Sequence, residues 1–153
     1  MYSLETLLKQ ECRALAQLLD TLNEEHQALM RHDMTALDRA SNKKQQQVTQ
    51  LESLARDRDF ALRQHGLAAG HEGIEHSLRQ QPRSVAQASW KELQTLLARC
   101  RQQNLVNGGM VEISQRHVKR TLSLLHGQSP EPQTYGPSGA TGTAACSQLH
   151  ATT

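Results

Sequence analysis

The chain has 153 residues, enough for one domain core and too few for two substantial ones. Its 17 Lys and Arg stand against 15 Asp and Glu, and the net charge of +2 gives no strong pull toward nucleic acid or a membrane surface. Aromatic residues make up 3% and hydrophobic residues 37%, with 22 Leu and 18 Gln against 5 Val and 2 Ile. This balance argues against all-β and doubly wound α/β folds and for long helices that each bury one stripe.

The first helix begins after Ser3, a suitable N-cap, and carries Leu4, Leu8, Cys12, Leu15, Leu18, Leu22, His26 and Leu29 at steps of three or four on one face. Arg31-His32-Asp33 breaks that phase. Asp33 can cap a second helix bearing Met34, Leu37, Val48, Leu51, Leu54 or Ala55, and Leu62. Its middle, Lys43 to Gln47, is polar all round and is expected to be solvated or lightly packed.

Beyond Gln64 the pattern fails at Gly66, Gly70, Gly73 and Pro82, although Ile74 and Leu78 permit a short helix. A third long helix starts near Ser84 or Ser89. Trp90, Leu93, Leu97, Cys100, Asn104, Asn107, Val111, Ser114, Val118, Thr121 and Leu125 keep its three-four alternation, and the shallow, left-handed packing of long helices follows. The segment from Gly127 to Thr153, rich in Pro, Gly, Ser and Thr, has one Leu and too little apolar surface to offset its ordering entropy. The expected architecture is all-α: an elongated antiparallel bundle of three long helices with a possible short helix in residues 1–126, and a disordered tail in residues 127–153.

Little in the chain suggests chemistry. Cys12, Cys100 and Cys146 are far apart with no CxxC, which points to a reducing, cytoplasmic setting rather than to a disulfide framework or zinc knuckle. Early acidic residues contradict a secretory signal, and no apolar run approaches the roughly 20 residues that a membrane span needs. His71-Glu72-Gly73-Ile74-Glu75-His76 resembles a zinc motif only superficially. Its histidines are five apart, on different sides of a helix, and read as exposed loop residues. Cys100 in the helical seam reads as a small core residue. With no phosphate loop, nucleophile elbow or carboxylate pair, no enzyme activity, metal or cofactor is expected.

Charge is uneven. Residues 1–30 hold five acids and two bases, and residues 67–126 four acids and eight bases, which suits mild attraction between helix flanks. A nucleic-acid footprint would need a denser basic face or aromatic platforms.

Asn104-Leu105-Val106-Asn107-Gly108-Gly109 is the informative local feature. Asn-Gly commonly marks a tight turn, and two helical glycines cost roughly 1 kcal/mol each relative to Ala, yet the seam continues through them in phase. One continuous helix is therefore preferred, with glycine letting another backbone approach. The seam asparagines either pair with a neighbouring helix and fix its register or stand on a groove that a partner completes.

In their order, these features resemble the FlgN-type family of flagellar export chaperones. The leucine-rich first helix, Asp33 with Leu37 and a Lys at 43 or 44, Asn104 with Asn107-Gly108, and Tyr135-Gly136 with Gly139 carry the resemblance over roughly residues 1–140. It implies a cytoplasmic, non-enzymatic chaperone of type III secretion that binds the C-terminal segments of hook-filament junction proteins, prevents premature assembly and delivers them to the export gate. The export ATPase is a further contact it would allow, and the membrane is met only through the export apparatus. It implies Val111, Val118, Leu122 and Leu125 as client contacts and Tyr135 for gate docking, and the groove reading of the seam adds Asn104, Asn107 and Gly108 as partner-binding residues. A self-associating coiled-coil scaffold without a client is the alternative, and a monomer and a homodimer both remain open.

Overall fold

The computed structural model describes residues 3–125. Among the described residues it contains four α-helices and no strand: α1 (Leu4–Arg31), α2 (Met34–Gln64), α3 (His71–Gln80) and α4 (Val85–Leu125). The architecture is all-α, with three long helices and one short one. The chain divides into two units, residues 1–113 and residues 114–153. The expected tail, 127–153, lies outside the described residues.

Short polar side chains set the helix starts by satisfying amide N–H groups that have no intrahelical acceptor. Ser3 Oγ accepts from Thr6 N at 3.2 Å, Asp33 Oδ1 from Ala36 N at 3.0 Å, and Ser84 Oγ from Gln87 N at 3.3 Å. The last of these places the start of α4 at Ser84, and Ser89 is buried inside the helix. α1 ends at His32, which takes the left-handed conformation at φ 54°. From there the amides of His32 and Asp33 reach back to the carbonyls of Leu29 and Ala28, so two residues reverse the chain.

Within the first unit, α1 buries two adjacent stripes. The expected seam faces α4: the Cys12 thiol donates to Ser89 O at 3.2 Å and the Cys100 thiol to Leu15 O at 3.5 Å, so α1 and α4 run parallel. The second stripe, Leu7, Glu11, Ala14, Leu18, Thr21, Glu25 and Ala28, is buried throughout and faces α2. Its ion pairs, Glu11 with Arg58 and Glu25 with Lys44, fix an antiparallel register. In that register Ala28 falls beside Ala40, and Ala14, Thr21 and Ala28 let the two backbones approach closely.

For α2, one expectation holds and one is corrected. The polar run 43–47 is solvated and lightly packed, with Lys43, Gln45 and Gln46 exposed, while Lys44 reaches buried Glu25 at 2.6 Å and Gln47 Nε2 donates to Gln17 O at 3.4 Å. Met34 is 65% exposed, because the pairing register with α1 runs out at the turn.

α3 closes one end of the first unit, with Ile74 and Leu78 in the same core as Leu8, Cys12, Leu62, Ala86 and Trp90. His71 and His76 lie on this helix rather than in a loop, both exposed. Gly73 is required, since a Cβ there would collide with the backbone carbonyl of Ala68, which cannot swing away as a side chain could. Gly73→Ala should therefore lower stability by about 1–3 kcal/mol through overpacking, read as a fall in the urea midpoint.

Candidate partner-binding surface

The polar centre of the first unit is Asn107, 2% exposed on the α1-facing side of α4. Its Nδ2 donates to Leu22 O and to Glu25 Oε2, both at 2.8 Å. Its Oδ1 accepts from Gln103 Nε2 at 3.0 Å and lies 3.2 Å from His26 Nδ1, which must be the protonated nitrogen, since an amide oxygen cannot donate. Glu25 in turn takes Lys44 from α2, so one asparagine joins three helices with its full hydrogen-bonding capacity used. Asn107 thus faces inward and pairs with α1, whereas Asn104 and Gly108 are exposed. A Cβ at Gly108 or Gly109 would meet nothing within 4 Å, so the expected close backbone approach is not found among the described residues. The reason is rotational: Asn107 takes the position facing α1 and turns both glycines aside.

A second buried polar group lies nearer the other end. Arg58 Nη1 donates to Glu11 Oε2 at 2.6 Å, the Arg58 side chain is 12% exposed, and Asp59 Oδ1 accepts from Gly70 N at 3.0 Å to anchor the loop before α3. Burial pushes the Glu11 carboxyl above its ordinary value, with Arg58 pulling it back. Burial also raises both seam thiols, Cys12 to about 11, so neither behaves as a nucleophile at neutral pH.

The apolar residues left outward on α4 lie further along. In the first unit Leu105 is 70%, Val111 37% and Ile113 67% exposed. In the second unit Val118 is 56%, Leu122 50% and Leu125 78% exposed, at spacings of four and three that place them on one side of the helix. Residues 114–125 contain Arg116, Lys119 and Arg120 and no acid. The Thr121 and Ser123 hydroxyls donate to carbonyls of their own helix at 3.0 Å. The surface is therefore aliphatic with cationic flanks, an arrangement able to bind an apolar segment. Among the described residues no group of three His, Cys, Asp or Glu could hold a metal, and no helix is long and apolar enough to cross a membrane. Tyr135, the remaining candidate, lies outside the described residues.

Sequence reasoning missed Glu11, Glu25, Lys44, Arg58 and Gln103 as structural groups. The signal that could have found the two glutamates is their position in the three-four series Leu7-Glu11-Ala14-Leu18-Thr21-Glu25-Ala28, which hydrophobicity alone does not reveal.

The family model described as FlgN protein matches residues 1–143. Among solved structures, the chain is similar to a protein described as a flagella synthesis protein FlgN from Pseudomonas aeruginosa, with 34% identity and a TM-score of 0.60 over 69% of this chain and 83% of that one. Comparison with curated proteins returns no match.

Proposed function

The chain belongs to the FlgN family of flagellar export chaperones, and on that premise we propose that it is a cytoplasmic, non-enzymatic carrier for hook-filament junction proteins. In this reading it holds their C-terminal segments, keeps them from associating early and delivers them to the export gate. Val111, Val118, Leu122 and Leu125 contact the client, and Tyr135 serves docking at the gate. One observation carries the reading: Val118 and Leu125 are 56% and 78% exposed on a helix whose final turns hold cations and no acid. An aliphatic stripe of this kind suits an amphipathic client helix that is captured and later released.

The test is capture of the C-terminal region of a junction protein by the full chain. Val118→Asp with Leu125→Asp should weaken the complex at least about tenfold while leaving thermal unfolding unchanged, since exposed sites contribute little to stability. Unaltered capture by this variant would remove these residues from the contact. If the variant instead abolishes self-association and no junction protein binds the parent chain, the coiled-coil scaffold takes the chaperone's place.

A further inference from the structure

Away from that surface, the first unit has a cleft of about 560 Å³ between α2 and α4. Leu15 of α1 forms its floor, Leu51 and Ala55 of α2 one wall, Leu93 and Leu97 of α4 the other, and Arg101 stands at its rim. The cleft has a geometric origin. α1 and α2 approach closely along their length, side chains hold α4 to α1, and the ten residues of α3 fill the space between α2 and α4 at one end only.

α3 itself shows what chemistry this space accepts. It presents Ile74 and Leu78, four residues apart and 0% and 6% exposed, beside Glu75, whose Oε1 accepts the Trp90 Nε1–H bond at 2.9 Å. At His71 the helix begins, with its ring 5.3 Å from that of Trp90, and there the covering stops while the aliphatic walls continue. The rim then offers a cation. Arg58 is neutralised by Glu11, but Arg101 has no carboxylate partner among the described residues. An occupant continuing the line of α3 would thus meet leucine walls and one unmatched positive charge.

We propose that this cleft is a docking seat for an acidic amphipathic helix of another protein. Aliphatic side chains at i and i+4 enter between Leu51 and Leu97, repeating the arrangement of Ile74 and Leu78, and a carboxylate on the flank meets Arg101. The seat shares no lining residue with the Val118 and Leu125 stripe.

Trp90 is the chain's single tryptophan and lines the cleft, so its emission reports occupancy. The probe is a synthetic helix of about 14 residues, or four turns, with Leu at i and i+4 and Glu on the flank, alongside a twin carrying Lys in place of Glu. Titrated into the full chain, the Glu peptide should give a saturable change in Trp90 emission, and the Lys peptide should bind at least about tenfold more weakly. The Arg101→Glu variant, altered at an exposed position, should reverse that preference with its thermal unfolding unchanged. No emission change, equal binding of the two peptides, or an emission change that follows protein concentration alone would each overturn the proposal, the last by placing a second copy in the cleft. Val118→Asp with Leu125→Asp should leave peptide binding intact, so failure here is distinguishable from failure of the chaperone reading.

Discussion

Arg58→Met is expected to cost about 3–5 kcal/mol at pH 8, because it leaves the Glu11 carboxylate buried without its counter-ion. Glu11 is 4% exposed, and its Oε1 has no hydrogen-bond partner, so the Arg58 guanidinium is its principal compensation. The pH dependence follows from the direction of the shift. Burial already places the folded-state value above the ordinary 4.5, with Arg58 lowering it, and the substitution removes that lowering influence. A carboxyl with a raised folded-state value binds more protons folded than unfolded, so stability falls as pH rises from 4.5 through the folded value. The penalty of Arg58→Met should therefore be fully present above that value and shrink as the pH is lowered toward 4.5. Urea unfolding of parent and variant across this range measures the difference, and a penalty independent of pH would show that Glu11 is not its source. Adding Glu11→Leu to Arg58→Met should recover most of the loss, since an apolar pair needs no charge compensation.

Asn107→Ala carries the second large effect, about 2–4 kcal/mol, from four hydrogen bonds lost together and a carboxylate left with one partner fewer. Asn107→Asp should be destabilising as well, because its carboxylate would lie at hydrogen-bond distance from Glu25 Oε2 in a buried site. The two substitutions differ in pH response: the Asp variant should regain stability in acid as one of the paired carboxyls takes a proton, and the Ala variant should not. Thermal unfolding at pH 5 and pH 8 separates them. Identical behaviour of both would indicate that Asn107 acts through shape alone.

These sites also show where the sequence was legible. The seam through Leu8, Cys12, Leu15 and Leu22 could be read because each of its members is apolar or a thiol, and its packing against α4 follows that pattern. The caps Ser3 and Asp33 and the continuity of α4 through Asn107-Gly108-Gly109 were legible for similarly local reasons, whereas Ser84 and Ser89 were equal candidates for the start of α4, and only the bond that the Ser84 hydroxyl accepts from Gln87 N decides between them. The stripe facing α2 was hidden, since Glu11, Thr21 and Glu25 dilute its hydrophobicity and are admitted only because Arg58, Lys44 and Asn107 arrive from distant positions. The partners of Lys43 and Lys44 were hidden for the same reason: a carboxylate nineteen residues earlier leaves no trace in local periodicity. Of the candidate contact residues, Asn107 could be placed on the seam but not assigned inward or outward by spacing, because an asparagine suits a buried network and a groove equally well. The exposure of Val118 and Leu125 was likewise beyond periodicity, which places side chains on a common face without saying what covers it.

The two-residue reversal at His32 bears on the order in which the molecule assembles. α1 meets α2 across a tight link, whereas its bonds to α4 join residues 77 to 85 positions apart. Closing the long loop costs more entropy before any contact repays it, so the α1–α2 hairpin can form while α4 is still being synthesised. α4 then docks as a late and separable layer. Amides at its α1 interface should exchange with deuterium at a lower opening energy than those between α1 and α2.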